Sequence, residues 1–432
     1  MWWWIAAAAL ANGDGSHLWI SETARDQLPV GALRDFLEDP AAWEAVRAGS
    51  LFPDGGYGVD HPYGEHAHWP PFHRAYRGWI AARWQPPYQG EAALHLGLLL
   101  GMISHGTADQ VYDGLYMERA REEDGGSDWG QSFDEATEVC FLAATGPQEL
   151  PPLELPYDAL AALLTADGVA VDANTLRRGQ AAVNLAVLWA SGASQDPERV
   201  AAYQAQFPWG CVHQIDEDQP GAPAHEARVV AHAWAQTWAA LSGDLAPGGV
   251  LDSSPLDGGA GLPEAGVGAR VGLFLASPLL SAQVPELALR VVDEAGVEVE
   301  ISRRLFYRDH SQLLLIEPVA GWTPRAAHTL TLGPVDDAWG EALLTDPWRL
   351  HFSTAPPPAD TGEVREEPAP SGCSQAGRGE RWGPLGLLAL GALRRRRRCQ
   401  TPHTDRQIGE TGLTHTQEER VTLPCRRPRR TG

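Results

Sequence analysis

The most constraining stretch of the chain is EAALHLGLLLGMISHGTADQVYDGLY, residues 91–116. Read as a helix, it is apolar almost all round, which places it in a core rather than on a surface. It nevertheless carries His105, Asp109 and Asp113 at intervals of four, so the three stack as a polar stripe on one face. Burying such groups is costly unless each finds a partner, and metal ions are among the best partners for imidazole and carboxylate. Any fold of this chain has to satisfy that stripe.

With 432 residues, 44% of them hydrophobic, the chain is long enough for two or three domains with real cores. Its formal charge of −23 and pI near 5.0 argue against coating long nucleic acids, which takes a basic surface. A site for a small substrate is compatible with that balance. The 17 Trp residues read as core and site walls. Of the cysteines, Cys140, Cys211, Cys373, Cys399 and Cys425, none has the close CxxC spacing of a zinc knuckle,. Cys140 and Cys211 could form one disulfide in an exported chain. The start, MWWWIAAAALANG, holds an apolar run too short to span a bilayer, ending in Ala9-Leu10-Ala11. It reads as a signal peptide over residues 1–11, with Asn12 as the mature amino terminus.

From His17 to about Gly243 the pattern is helical: HLWISETARDQL, the buried stretch above, SFDEATEVCFLA, PYDALAALLTA, NTLRRGQAAVNLAVLWASG and PAHEARVVAHAWAQTWAALSG, with Pro and Gly between them,. The helical domain is expected over residues 12–245. Beyond it, RVGLFLAS, ELALRVVD, VEVEISRRLFY, SQLLLIEP, HTLTLGP and WRLHFSTA are short β-type runs separated by turn residues, which predicts a small β-sandwich over 246–355. In LLLIEPVAGWTPRAAHTLTL and the closing FSTA this part resembles bacterial Ig-like domains. Residues 356–372 are a Pro-rich acidic linker. Then Cys373, a short apolar stretch and Arg394 to Arg398 make residues 373–398 resemble the MYXO-CTERM sorting signal, which implies a sorting peptidase as partner, processing near Cys373 and retention at the cell surface. Residues 399–432 are expected to be a disordered tail.

Four local motifs carry chemistry. His17 opens a helix in DGSHLWISETA, SLFPDGGYGVDHPYGEHAHWPPF holds Asp54 in a tight turn and His68 at the end of a His-rich loop, the stripe of His105, Asp109 and Asp113 is the third, and FDEATE puts Asp134 and Glu138 on one helix face,. Each alone has an ordinary explanation: a cap or core histidine, a turn aspartate, a solvated acidic pair. His61, His66 and His73 read as loop histidines, and Tyr57, Tyr63 and Trp69 as core packing sooner than cleft lining. Only the buried stripe resists such a reading.

Taken in order, DGSHLWI, FPD, GEHAHWPPF, LGMISHGTADQVYD and the acidic helix resemble the zinc-dependent phospholipase C family, and within it the amino-terminal domain of glycosylphosphatidylinositol-specific phospholipase D. Nucleases of the S1/P1 type share that scaffold. The resemblance implies an all-α domain holding Zn²⁺, two or three ions, in a cleft. Carried over residue by residue, Asp54, His68, His105 and Asp109 hold one ion. Asp109 bridges to a second, completed by His17 and by the amine and carbonyl of Asn12. Relatives hold the third with two histidines and a glutamate, whereas the matching positions here are Asp113, Asp134 and Glu138. That all-oxygen set favours Mg²⁺, Ca²⁺ or Mn²⁺.

The expected protein is therefore multidomain, an all-α phospholipase C-like helical domain followed by a small Ig-like β-sandwich. It is exported or surface-anchored and hydrolyses a phospholipid at a membrane surface, or a related small phosphodiester, with Asp54 as a base as well as a ligand. The alternatives are an S1/P1-like nuclease or nucleotidase, and a non-catalytic surface or adhesion protein with a structural metal site.

Overall fold

The structure, a computed structural model, describes residues 13–125, 131–244 and 248–354. Asn12 and the segments expected to be signal peptide (1–11), linker (356–372), sorting signal (373–398) and tail (399–432) lie outside the described residues.

The apolar stretch forms the helix Glu91–Val111, buried from Ala92 onward but for Leu94. Around it pack the helices Asp14–Gln27, Pro40–Gly49, Pro70–Ala81 and Pro223–Ser242. Three of these four begin with proline, whose missing N–H costs nothing in the first turn. Close approach is allowed by glycine. A Cβ built on Gly101 would lie 2.1 Å from the Val46 carbonyl oxygen, so only a residue without a side chain lets these two backbones meet. Leu96, Leu99, Leu100 and Met102 then fill the core with Val46, Phe72, Tyr76 and Trp234. The helices Gln131–Thr145, Tyr157–Ala166 and Ala173–Ala193 complete the layer beside the site. The last is capped by Asp172, which accepts a hydrogen bond from Thr175 N at 2.7 Å,.

After Val111 the α-helical ladder loosens into a π-helical segment, Tyr112–Met117, a departure from the straight helix that the apolar pattern predicts through Tyr116. Its physical setting is the junction with the β region. Gly114 O accepts from Arg270 Nη1 at 2.5 Å, and a Cβ on Gly114 would lie 2.6 Å from the Leu313 side chain.

The β region is antiparallel. Strands β1 (Val250–Ser254), β2 (Val271–Leu279), β3 (Leu289–Asp293), β4 (Ile301–Leu305), β5 (Ser311–Pro318), β6 (Ala327–Leu332), β7 (Val335–Asp336), β8 (Ala342–Leu344) and β9 (Trp348–Ser353) form sheets in the orders β1-β2-β5-β4, β3-β6-β9 and β7-β8. Leu273, Leu275, Leu314 and Ile316 of the first sheet share a core with Val291, Leu330, Leu350 and Phe352 of the second. The alternate residues Phe274, Leu313 and Leu315 face the other way and are buried against Val111, Leu115 and Val229 of the helices. Burial on both faces explains why RVGLFLAS and SQLLLIEP read as continuous apolar runs instead of alternating ones.

Polar contacts reinforce that junction. Gln110 Oε1 accepts from Ser311 Oγ and Gln312 N, both at 2.9 Å, and Arg228 forks onto Asp252 at 2.8 and 3.1 Å. The protein is thus a helical domain followed by an antiparallel β domain, and both lie within one compact unit.

Cys140 and Cys211 are joined in a disulfide across 71 positions of chain, tying the helix Gln131–Thr145 to Pro208–Val212. A loop of that length removes about 4 kcal/mol of chain entropy from the unfolded state. Cys140→Ser should therefore lower the midpoint of urea unfolding by an amount equivalent to about 2–5 kcal/mol, measured by circular dichroism. A midpoint equal to that of the oxidised wild type would contradict the expectation.

Candidate metal centre

His17, Asp54, His68, His105 and Asp109 come from four separate elements and meet at one point. The first helix brings His17 and is pinned one turn further along by Ser21 Oγ and Ser104 Oγ, 2.8 Å apart. Asp54 sits in the 3₁₀ turn Pro53–Gly55, and His68 follows the short helix Tyr63–Ala67. His105 and Asp109 are one turn apart on the central helix. All five are buried.

The imidazoles are held from behind. His68 Nδ1 donates to Gly64 O at 2.6 Å and His105 Nδ1 donates to Ser50 O at 2.7 Å. A carbonyl can only accept, so Nδ1 carries the hydrogen in both rings and a neutral ring presents its Nε2 lone pair to the cluster. The two Nε2 atoms are 2.9 Å apart. Asp109 Oδ2 lies 3.3 Å from each of them, and Asp54 Oδ1 lies 3.3 Å from the His68 atom and 3.4 Å from the His105 atom. In a tetrahedral zinc site with bonds of about 2.0–2.1 Å, neighbouring ligand atoms are about 3.3 Å apart. Four lone-pair atoms at such spacings need something positive between them.

In the metal-free chain a proton serves. Burial disfavours charge on His68, but the Asp109 and Asp54 carboxylates outweigh it and lift the ring to about 10. Burial likewise works against ionised Asp54 and Asp109; the His105 and His68 rings beside Asp54, and His105 and His17 beside Asp109, hold both carboxyls well below the usual range. A divalent ion would displace the proton on binding.

A second group adjoins the first. His17 stacks on His105 with ring centroids 3.9 Å apart, and its Nε2 lies 3.2 Å from Asp109 Oδ1. One ligand atom each from His17, Asp54 and His105 lie within 4.8 Å of one another, as do one each from His68, His105 and Asp109. His17 Nδ1 and Asp54 Oδ2 are buried without a hydrogen-bond partner, and His17 Nε2 and Asp109 Oδ1 face only each other. Such orphaned atoms are costly in a dry interior, and they fit a site built for cations. These buried His/Asp groups could hold a metal ion.

Asp113, Asp134 and Glu138 join neither three-ligand group. Asp113 lies at the start of the π-helical segment, with Oδ1 buried and unpartnered. Asp134 and Glu138 share a face of the helix Gln131–Thr145 as their spacing predicts, but that face is buried rather than solvated. Burial, then Asp109 and Asp54, pushes Asp134 up to about 8. Burial pushes Glu138 up to about 7 although its Oε1 accepts from Gly15 N at 2.6 Å.

His61, His66 and His73 lie outside both groups and have contacts of their own. His61 is in a loop, accepting from Tyr63 N at 3.2 Å. His66 lies in the helix Tyr63–Ala67, not in a loop, and pairs with Asp167 at 2.8 Å. His73 is also helical; it donates to Ala67 O at 2.9 Å, and burial pushes it down to about 3. Tyr63 is core, against Phe52.

Two features escape sequence reasoning. Asp14, a turn before His17, is buried with Oδ1 unpartnered, where an acid in a first helical turn ordinarily signals only a helix start. Glu65 gathers Tyr57 Oη at 2.7 Å, Trp69 Nε1 at 2.9 Å and Arg308 of the β domain at 2.6 Å. The Tyr57 ring is 5.2 Å from that of His68, so this aromatic and cationic rim adjoins the metal centre. No local signal links Arg308 to it.

The sequence matches no protein-family model, and no curated protein is significantly similar to it. Among solved structures, domains 1–6 of the surface layer protein SbsC align over 72% of this chain and 45% of that one, at 10% identity and a TM-score of 0.21. The S-layer protein rSbsC(31-844) aligns over 74% and 45%, at 9% and 0.19. The N-terminal part of the bacterial S-layer protein SbsC aligns over 72% and 78%, at 10% and 0.20. The chain thus spans less than half the length of the first two, and scores near 0.2 do not amount to a shared fold.

Proposed function

We propose that the chain is an exported, surface-held phosphoric diester hydrolase of the zinc-dependent phospholipase C type, acting on a phospholipid or a related small phosphodiester. The observation that carries this reading is the convergence of Asp54, His68, His105 and Asp109, with both imidazoles fixed by backbone carbonyls so that their Nε2 lone pairs face the two carboxylates. Zn²⁺ bound there would activate water and neutralise phosphoryl oxygens. Asp54 Oδ2 is buried without a hydrogen-bond partner, and Asp109 turns Oδ2 toward His68 and His105 and Oδ1 toward His17. Arg308, over the Trp69 ring at 4.5 Å and paired with Glu65 at 2.6 Å, adds an aromatic and cationic edge beside the centre, in keeping with a phosphoester substrate. The buried carboxylates and the net charge of −23 suit a small substrate better than a polyanion.

Asp113, Asp134 and Glu138 would offer oxygens to a third, harder ion such as Mg²⁺, Ca²⁺ or Mn²⁺. The β domain is read as Ig-like and the tail as a sorting signal that keeps the enzyme at the cell surface, facing membrane lipid. Among the described residues no helix is long and apolar enough to cross a membrane.

The test is metal analysis of the purified protein together with hydrolysis of phosphatidylcholine, a generic phosphodiester and a short oligonucleotide, before and after chelation. Bound zinc, with lipid hydrolysis lost on chelation and restored by zinc, is expected. Cleavage of the oligonucleotide alone would favour the nuclease reading. Bound metal with no hydrolysis of any of the three would leave a surface protein with a structural metal site.

A further inference from the structure

Positions 70, 73, 74 and 77 of the helix Pro70–Ala81 share one face by helical spacing, and they form one wall of a cleft between the helical and β domains. Leu251 of β1, Ser277 and Pro278 of β2, and Trp339 between β7 and β8 form another. The cleft measures about 540 Å³ with the solvent at its mouth included, which is room for a small solute. None of the metal-centre residues lines it.

Two residues of the first wall are guanidiniums. Arg74 lies over the Trp339 ring at 4.3 Å, and its Nη2 donates to Glu341 Oε1 at 2.6 Å. The Glu341 side chain is 63% exposed, so water weakens its hold on Arg74. Arg77 is only partly exposed, yet it makes no hydrogen bond, ion pair or cation–π contact among the described residues. Burial and the neighbouring charge of Arg74 work against its own charge, and Glu341 favours it. One exposed carboxylate thus stands against two cations. Asp337, behind Ser277, already accepts from Ser277 Oγ at 2.7 Å and from the amides of Trp339 and Glu341 at 2.9 Å. Across the cleft Gln236, in the helix Pro223–Ser242, leaves its side-chain amide without a hydrogen bond among the described residues. Arginine keeps its proton in proteins, so the cleft stays cationic in a chain whose formal charge is −23. A planar, forked guanidinium matches the oxygens of phosphate.

We propose that this cleft binds a small phosphate dianion, held by the guanidiniums of Arg77 and Arg74 with the Gln236 amide as a further donor. Two cations favour a dianion over a monoanion. The bound anion competes with Glu341 for Arg74. The site is separate from the metal centre, and the inference goes beyond the hydrolase reading without depending on it.

The test is isothermal titration calorimetry of the full-length protein with inorganic phosphate and with acetate, after chelation so that no ion of the metal centre takes up phosphate. Saturable binding of one phosphate per chain is expected, tighter than that of acetate. Arg77→Gln should weaken it at least about 10-fold, and Glu341→Gln, which frees Arg74, should strengthen it. No saturable phosphate binding, equal affinity in the wild type and Arg77→Gln, acetate bound as tightly as phosphate, or binding no tighter in Glu341→Gln would overturn the proposal. None of these results bears on metal-dependent hydrolysis, which is read in the zinc-loaded protein. Arg77→Gln removes a cation that has no ion-pair partner, so without phosphate it should melt no lower than the wild type, while the rise in Tm on adding phosphate shrinks. A variant that melts several degrees lower without phosphate would make Arg77 a structural residue and overturn the assignment by that route.

Discussion

Asp109→Asn should abolish the metal pair and, with it, hydrolysis. Asp109 touches ligands on both sides, Oδ2 at 3.3 Å from His68 and His105 and Oδ1 at 3.2 Å from His17. The amide keeps the shape and one acceptor oxygen but loses the charge, and its NH₂ end cannot ligate an ion. Metal contributes several kcal/mol of transition-state stabilisation in such sites, so the fall in kcat/KM on a phosphodiester should be at least about 10³-fold. Bound zinc should drop below one ion per chain in the same preparation. A variant that keeps full zinc content, or that hydrolyses the substrate as fast as the wild type, would show that the pair is not the catalytic centre. The metal-free proteins should differ in pH behaviour as well. His68, lifted to about 10 from an unfolded value of about 6.5, contributes stability that is fully present below the unfolded value. That contribution is lost as pH rises through about 10,. Removing the charge of Asp109 lowers the His68 pKa, so the loss should begin at the same pH, be complete at a lower one and be smaller in total.

Gly106→Ala should damage the same site without touching a ligand. A Cβ at position 106 would lie 2.0 Å from the His68 carbonyl oxygen, and neither backbone has room to yield: His105 is held to Ser50 O on one side, and His68 to Gly64 O on the other. The helix carrying His105 and Asp109 therefore has to move away from His68 by roughly an ångström. Overpacking of this kind costs about 1–3 kcal/mol, and the larger loss should be in zinc affinity, by at least about 10–100-fold. Gly78→Ala is the control. It lies in the helix Pro70–Ala81 with nothing near its added methyl and should stabilise by about 0.5–1 kcal/mol. Thermal unfolding and zinc titration of the two variants separate the cases; similar behaviour of both would mean that close backbone approach at Gly106 does not set the ligand geometry.

Much of the fold is written in local pattern. The apolar run with its His105/Asp109 stripe predicts a buried helix with a polar debt, and the change from helical periodicity to short β-type runs after Gly243 places the boundary between the two regions. Proline marks the first turn of several helices. The continuous apolar character of β2 and β5 also has a local signature, although which face met the helices was not legible. Both faces of an apolar strand look alike until its neighbours are known.

What the chain determines by itself is which residue types recur at which spacing along one element: His105 and Asp109 a turn apart, Asp134 and Glu138 a turn apart, His17 early in the first helix. Tertiary structure alone decided which lone pairs meet. It set His68 Nε2 against His105 Nε2, converted a nominally solvated acidic face at Asp134 and Glu138 into a buried one, buried Asp14 and brought Arg308 of the β domain to Glu65 beside Trp69. The reason is that helical periodicity orients a side chain only relative to its own axis. Distances between residues of different elements depend on how closely backbones approach, and here that is governed by glycines such as Gly101 and Gly106 pressed on the carbonyls of Val46 and His68.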